Sequence, residues 1–215
     1  RKRGRNHPRP APEPTESAYS VNKLGSEGYA AQERDYKLAA KNKLDATAPL
    51  EMAITGSGFG EAILSVYRAT NMLSPFEKTR LQDVFRGPSS DAVIRAAAEF
   101  TENADKNSLG RLEAALKPHD CAKWTVVTYL PYLWRPDRHM FLKPEVTKDF
   151  AARVGHPFAY NYEARLNIDV YASLLDLVER TNRELSDLEP RDRIDIQSFI
   201  WVVGDYQEDR DGTYT

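Results

Sequence analysis

Cysteine is almost absent from this chain: Cys121 stands alone among 215 residues. That excludes an internal disulfide framework and fits a reducing compartment, cytoplasmic or otherwise intracellular. It also leaves metal chemistry short of ligands. His119-Asp120-Cys121 sets two possible ligands close together, but with four histidines and one cysteine no second pair at zinc spacing accompanies it. Helix capping by Asp120 and burial of Cys121 account for these residues better, and no metal or other cofactor is expected from them. Long apolar runs are missing as well. The longest, Trp124 to Leu133, is interrupted by Thr125, Thr128 and Pro131, well short of the roughly 20 residues that span a bilayer. No membrane association is expected, and no signal-peptide apolar region follows the basic start. A start at Arg1 rather than Met leads us to expect a trimmed chain. There is no internal repeat and no alternation of strand and helix patterns.

The charge that is present is unevenly placed. Arg1, Lys2, Arg3, Arg5 and Arg9 put five positive charges in the first ten residues, with no acid among them. The whole chain is at −2, so without those five the remainder is at −7. Such a body is no general nucleic-acid-binding surface. Pro8, Pro10, Pro12 and Pro14 forbid regular helix in this arm and favour an extended, solvated chain. Residues 1–25 are therefore expected to form a disordered or extended linker. In the sharper reading Arg1, Lys2, Arg3 and Arg5 contact phosphate or an acidic partner.

From residue 26 to 204 the pattern is mostly helical, with an acidic tail over 205–215. Ser26 is a candidate cap for a helix from Glu27 to about Asp45, with Tyr29, Tyr36, Leu38, Ala40 and Leu44 inward. Ser74-Pro-Phe-Glu77 is a start signal: a capping serine, proline at the first helical position and a glutamate to complete the capping box. Leu81, Val84 and Phe85 continue that face. Further helices are expected from Ser90 to about Asn103, from Ser108 to Leu116, from Pro144 to Gly155 and from about Asp169 to Ser186. The last opens at Pro190-Arg-Asp, contains Phe199, Trp201 and Val202, of which Phe199 and Trp201 are expected to pack the core, and stops at Gly204. Asp120 is a candidate cap for a helix through Trp124-Thr-Val-Val-Thr-Tyr, although that run is rich in β-formers. The fold class expected is mainly α. It is a single multi-helix domain with a possible subdivision near 118 and a possible short β-hairpin near Val126 or Phe158–Tyr162.

All three tryptophans fall in two blocks, Trp124 to Pro144 and Asp192 to Gly204. The same blocks set Asp137, Arg138, His139, Lys143, Asp195 and Gln197 among apolar residues, where polar groups must find partners. Asp137 orienting His139, with Lys143 close by, has the ingredients of a general base, yet no serine or cysteine nucleophile is tied to it. Asp137 with Asp195-Ile-Gln197 resembles a PD…(D/E)-x-K nuclease pattern, in which carboxylates hold Mg²⁺ or Mn²⁺ and a lysine polarises water; here glutamine stands in the lysine's place. The bland reading is a turn at Pro136-Asp137, a hydrogen-bonded His139 and a structural last helix. Arg135, Arg138, Lys143, Arg153, Arg191 and Arg193, with Trp134, Tyr132 and Tyr160, stack bases and hold phosphates if they converge, and otherwise form a dispersed solvated set. Thr55-Gly-Ser-Gly-Phe-Gly60 has glycines that suit an anion, but lacks the following lysine and preceding strand of phosphate loops. A helix–helix connection is expected there.

The segments Pro136-Asp-Arg-His-Met-Phe-Leu-Lys-Pro144 and Ile194-Asp-Ile-Gln-Ser-Phe-Ile-Trp201, with Asn71 to Lys78 and Glu33 to Lys37, resemble a group of bacterial proteins of similar size that has no assigned activity. That resemblance covers most of the chain and implies no catalytic residue. More distantly, Thr128 to Asp137 followed by a late Asp-rich helix with tryptophan is similar to the second half of helix-hairpin-helix DNA glycosylase-like proteins. The Gly-x-Gly hairpin that grips phosphate there is replaced by Lys117-Pro-His-Asp-Cys-Ala-Lys123. The expected function is a non-enzymatic helical module binding a macromolecular partner, nucleic acid or a larger assembly. A metal-dependent nucleic-acid-processing enzyme using Asp137, His139, Lys143, Asp195 and Gln197 is the alternative, and a structural subunit of a protein complex is the third reading.

Overall fold

The run Trp124–Trp134 is apolar on every side, and that decides where it sits. In the computed structural model, which describes residues 33–205 and their side chains through 203, this run is a helix with all of its residues buried. A helix that is apolar all round belongs inside a protein. Its β-branched residues favour a strand locally, but a strand there would need paired neighbours, and tertiary packing overrides propensity. Thr128 Oγ1 donates back to the Trp124 carbonyl at 2.6 Å and accepts the Leu142 N–H at 2.9 Å, so a polar group in the core is satisfied twice. The indole N–H of Trp134 donates to the Ala48 carbonyl at 2.9 Å, and that of Trp124 to the Glu163 carbonyl at 2.8 Å. Tyr129 shares a 2.7 Å hydrogen bond with Thr70 and lies near the Val66 carbonyl at 3.1 Å.

Around this centre the described residues form α1 (Asp35–Thr47), α2 (Leu50–Thr55), α3 (Gly60–Arg68), α4 (Pro75–Arg86), α5 (Ser90–Glu102), α6 (Lys106–Leu116), α7 (Trp124–Trp134), α8 (Pro144–Arg153), α9 (Phe158–Asn161), α10 (Ile168–Glu184) and α11 (Arg193–Asp205). No strand occurs among them. Both segments considered for a hairpin are helical and pair with no strand among the described residues; in α7 the i→i−4 ladder is interrupted only at Pro131, which has no N–H to donate. α7 lies against α1 and α5; α3 packs on α1 and α4; α8 packs on α9 and α11; α10 closes on α9 and α11. One apolar core runs from Ala40 to Ile200, across residue 118. No helix among the described residues is long and apolar enough to cross a membrane.

Local signals account for most boundaries. Ser74 and Glu77 form the reciprocal capping box, with Pro75 at the first position of α4. Other ends differ from expectation. α6 starts at Lys106 and not at Ser108, capped by Asp105, which accepts from the Asn107 and Ser108 N–H groups at 2.8 Å. Asp120 takes a left-handed conformation (φ 52°) and leaves Lys123 as the N-cap of α7. On α11 the buried residues are Ile194, Ile196, Gln197, Ser198 and Ile200. Phe199, Trp201 and Val202 are only partly covered, and the helix runs through Gly204 to Asp205. The arm over 1–25, the Ser26 cap and residues 206–215 lie outside the described residues.

Candidate functional site

The two polar-aromatic blocks meet in space. The Arg193 N–H donates to the Pro136 carbonyl at 3.0 Å. The Arg193 guanidinium donates to the Arg138 carbonyl and, at 2.6 Å, to Glu179 Oε1. Their meeting does not gather the five residues considered for catalysis. His139 is buried, with Nε2 2.8 Å from the Thr101 carbonyl and Nδ1 2.8 Å from the Tyr171 hydroxyl. A carbonyl only accepts, so Nε2 carries the proton and Nδ1 accepts from the tyrosine. Burial, with the nearby charges of Arg138 and Arg193, lowers the His139 pKa to about 4 against the opposing Thr101 hydrogen bond. The ring is therefore neutral at pH 7, with both nitrogens occupied. Asp137, two residues away, is exposed and makes neither of those bonds.

Asp195 sits in a different setting. Its Oδ1 accepts from Arg34 at 2.9 Å and from Arg191 at 3.1 Å; its Oδ2 accepts from the Arg191 backbone at 3.0 Å and side chain at 2.9 Å. Burial alone would raise this carboxyl, but the hydrogen bonds from Arg191 and the charges of Arg34 and Arg191 hold it below the ordinary value. Both of its oxygens are engaged by cations of the chain itself, which opposes its use as a metal ligand. Among the described residues no group of three or more His, Cys, Asp or Glu side chains is placed to hold a metal ion.

Sequence reasoning passed over the most buried cation. Lys37 is 1% exposed in α1 and donates to Ser198 Oγ of α11 at 2.7 Å and to Glu33 at 3.1 Å. Burial lowers its pKa to about 8, with Glu33 opposing the shift. A serine beside such a lysine has the ingredients of a nucleophile and its base. Ser198, however, is wholly buried and lines neither of the cavities described below; the pair ties α1 to α11. The only sequence signal for Lys37 was its place on the inward side of the first helix, between Tyr36 and Leu38.

The basic residues are distributed among acids and carbonyls. Arg135 pairs with Glu51 at 2.6 Å, Arg138 donates to the Glu102 carbonyl at 3.1 Å, Arg191 holds Asp195 and Arg193 holds Glu179. Trp134 is a core residue and presents no ring face to solvent. The glycine loop is occupied from within: the Gly58 N–H donates to Asp91 Oδ1 at 2.8 Å, so a carboxylate of the chain sits where an anion would. Arg1, Lys2, Arg3 and Arg5 lie outside the described residues.

Two cavities among the described residues lie close to these side chains. The larger, about 450 Å³, is a groove between the first turns of α4, α7 and α8. Phe76, 82% exposed, stands at it with Arg80, Lys123 and Lys143. In the same groove, Glu77 is half-buried. Burial would raise its carboxyl, but donation from the Thr125 and Ser74 hydroxyls and the Ser74 N–H, with the Lys143 charge, holds it below the ordinary range. It is a hydrogen-bonded anchor and not a free acid. The smaller cavity, about 50 Å³, lies on the other side of Lys143, against Lys37 and Gln197. Of the five residues considered for catalysis, only Lys143 and Gln197 share a cavity.

No family model, no curated protein and no solved structure matches the chain.

Proposed function

We propose that the chain is a non-enzymatic helical module that holds an anionic macromolecular partner, nucleic acid first, in the groove between α4, α7 and α8. One observation carries the reading: an aromatic ring, Phe76, stands 82% exposed beside the cations Lys123, Lys143 and Arg80, the last paired with Asp120, in a groove that Glu77 and Glu145 also line. A large apolar ring in water marks an interaction surface when it is part of a built groove. A stacking face together with cations is the pairing that single-stranded nucleic acid uses, bases on the ring and phosphates on the ammonium and guanidinium groups. The basic N-terminal residues Arg1, Lys2, Arg3 and Arg5 would add a sequence-independent phosphate term. The non-enzymatic part rests on the saturation of Asp195 and the burial of His139 described above.

The test is a binding and cleavage assay on labelled single- and double-stranded DNA and RNA at low and moderate salt, with and without Mg²⁺ or Mn²⁺. The expected result is single-strand binding that weakens steeply with salt, no cleavage, and a loss of roughly tenfold or more in affinity in Phe76→Ala, the scale of one base–aromatic stack. Metal-dependent cleavage would overturn the non-enzymatic reading. Absence of binding at low salt would remove nucleic acid and leave a protein assembly, to be sought by pulldown with wild type against Phe76→Ala.

A further inference from the structure

The smaller cavity lies between α1, α11 and the loops that precede α4 and α8. Its polar lining is Glu33, Tyr36, Lys37, Asn71, Lys143 and Gln197, and Met72, Phe141 and Trp201 form apolar walls. Two observations on it are independent of each other. Gln197 is 5% exposed, and its Oε1 has no hydrogen-bond partner among the described residues. A buried acceptor left without a donor is costly and calls for one. Lys37 presents three donors, of which Glu33 and Ser198 take two. Lys143 adds a second ammonium, which donates to the Met72 carbonyl at 3.3 Å. Glu33 offsets one of the two lysine charges, so the lining carries a net charge of one positive and suits a monoanion. The volume, about 50 Å³, admits a group of about four waters' size.

We propose that this cavity binds a small hydroxycarboxylate, its carboxylate accepting from the Lys37 and Lys143 ammoniums and its hydroxyl donating to Gln197 Oε1. The hydroxyl sets this class apart from a simple carboxylate, because only a donor satisfies the orphaned acceptor. A site built to hydrogen-bond a hydroxyl discriminates strongly against the analogue that lacks it. The proposal is separate from the groove reading, since it uses a different cavity and a different ligand; failure of nucleic-acid binding leaves it intact.

The experiment is a calorimetric or NMR titration of the full chain with glycolate, and in parallel with acetate, which lacks the hydroxyl. Glycolate is expected to bind saturably and acetate at least roughly tenfold more weakly. Gln197→Leu is expected to bring glycolate down to the acetate level. Lys143→Met is expected to weaken both. The proposal is overturned if glycolate shows no saturable binding, if glycolate and acetate bind alike, or if folded Gln197→Leu keeps the wild-type preference. Should Gln197→Leu fail to fold, the glycolate-to-acetate ratio on the wild-type chain decides by itself.

Discussion

Arg34 reaches across 158 positions of sequence to grip Asp192 with both terminal nitrogens, at 2.8 and 2.9 Å. The same guanidinium touches Asp195 at 2.9 Å, and Asp192 Oδ1 also accepts the Ile194 N–H at 2.9 Å. One arginine beside the first helix thus organises the first turn of the last. The Arg34 side chain is 8% exposed, so removing it leaves Asp192 without its cation and Asp195 with Arg191 alone, in a largely dry place. Arg34→Ala is expected to cost about 3 kcal/mol, the usual scale for breaking a buried pair, read as a lower urea midpoint with an unchanged slope.

The same cluster sets an acid limit. Asp195 titrates below its ordinary value when folded. Its contribution is therefore fully present above about pH 4, the unfolded value, and is lost as pH falls further, through the folded one. Asp195→Asn is expected to flatten the stability profile below pH 4 while lowering stability at neutral pH. Urea unfolding from pH 2 to 7 measures both.

His139 acts at higher pH. Its folded pKa of about 4 lies below an unfolded value of about 6.5. The folded state takes up the proton later than the unfolded chain, so stability is complete above pH 6.5 and declines as pH falls from 6.5 to 4. For a ring 1% exposed the decline is about 3 kcal/mol. His139→Gln should remove that slope at some cost in overall stability. Asp137→Ala, on the exposed turn beside it, should move stability by less than about 0.5 kcal/mol. A pH profile that is the same in wild type and His139→Gln would contradict this account.

Two glycine substitutions should act in opposite directions. A Cβ on Gly60 would lie 2.0 Å from the Phe85 carbonyl oxygen, so α3 and α4 approach as closely as they do only without a side chain there. Gly60→Ala is expected to destabilise by about 1–3 kcal/mol through overpacking. A Cβ on Gly110 meets nothing within 4 Å, and the residue lies in mid-helix in α6. Gly110→Ala should stabilise by about 0.5–1 kcal/mol through helix propensity. Thermal midpoints of the two single variants give the comparison.

At the groove, function and stability should separate. Phe76 is solvated, so Phe76→Ala is expected to leave the urea midpoint almost unchanged, within about 0.5 kcal/mol, while partner binding falls. Thr125→Val should do the reverse. It removes a donor to the half-buried Glu77 and is expected to cost about 1–3 kcal/mol, with Phe76 still exposed for binding. Equal losses of binding in the two folded variants would show that the ring itself is not what the partner touches.

Much of the fold was readable along the chain because its causes are local. The Ser74–Glu77 capping box acts within four residues. The inward faces of α5 and α10 follow from apolar spacing, with Val93, Ile94, Ala97 and Phe100 on one, and Val170, Leu174, Leu177 and Val178 on the other, all buried. Where size was taken for burial the reading failed: on α11 the slimmer Ile194, Ile196 and Ile200 face inward while Trp201 is partly covered. The candidate site was less readable. Asp137, His139 and Asp195 share two short blocks of sequence, yet one is on an exposed turn, one is in the core and one is clamped by two arginines.

By itself, then, the sequence determined the helical class, most helix starts and the burial of the Trp124–Trp134 run, since capping, periodicity and apolar content act between residues a turn or two apart. Only the tertiary structure decided which polar groups are spent and which are left over. Arg34 silences Asp195, Thr101 and Tyr171 silence His139, and Asp91 fills the Gly58 loop, while Gln197 Oε1 and the Phe76 ring keep capacity to spare. Those outcomes depend on partners 32 to 161 positions away, whose arrival is set by packing of the whole core and has no signature in the neighbouring sequence.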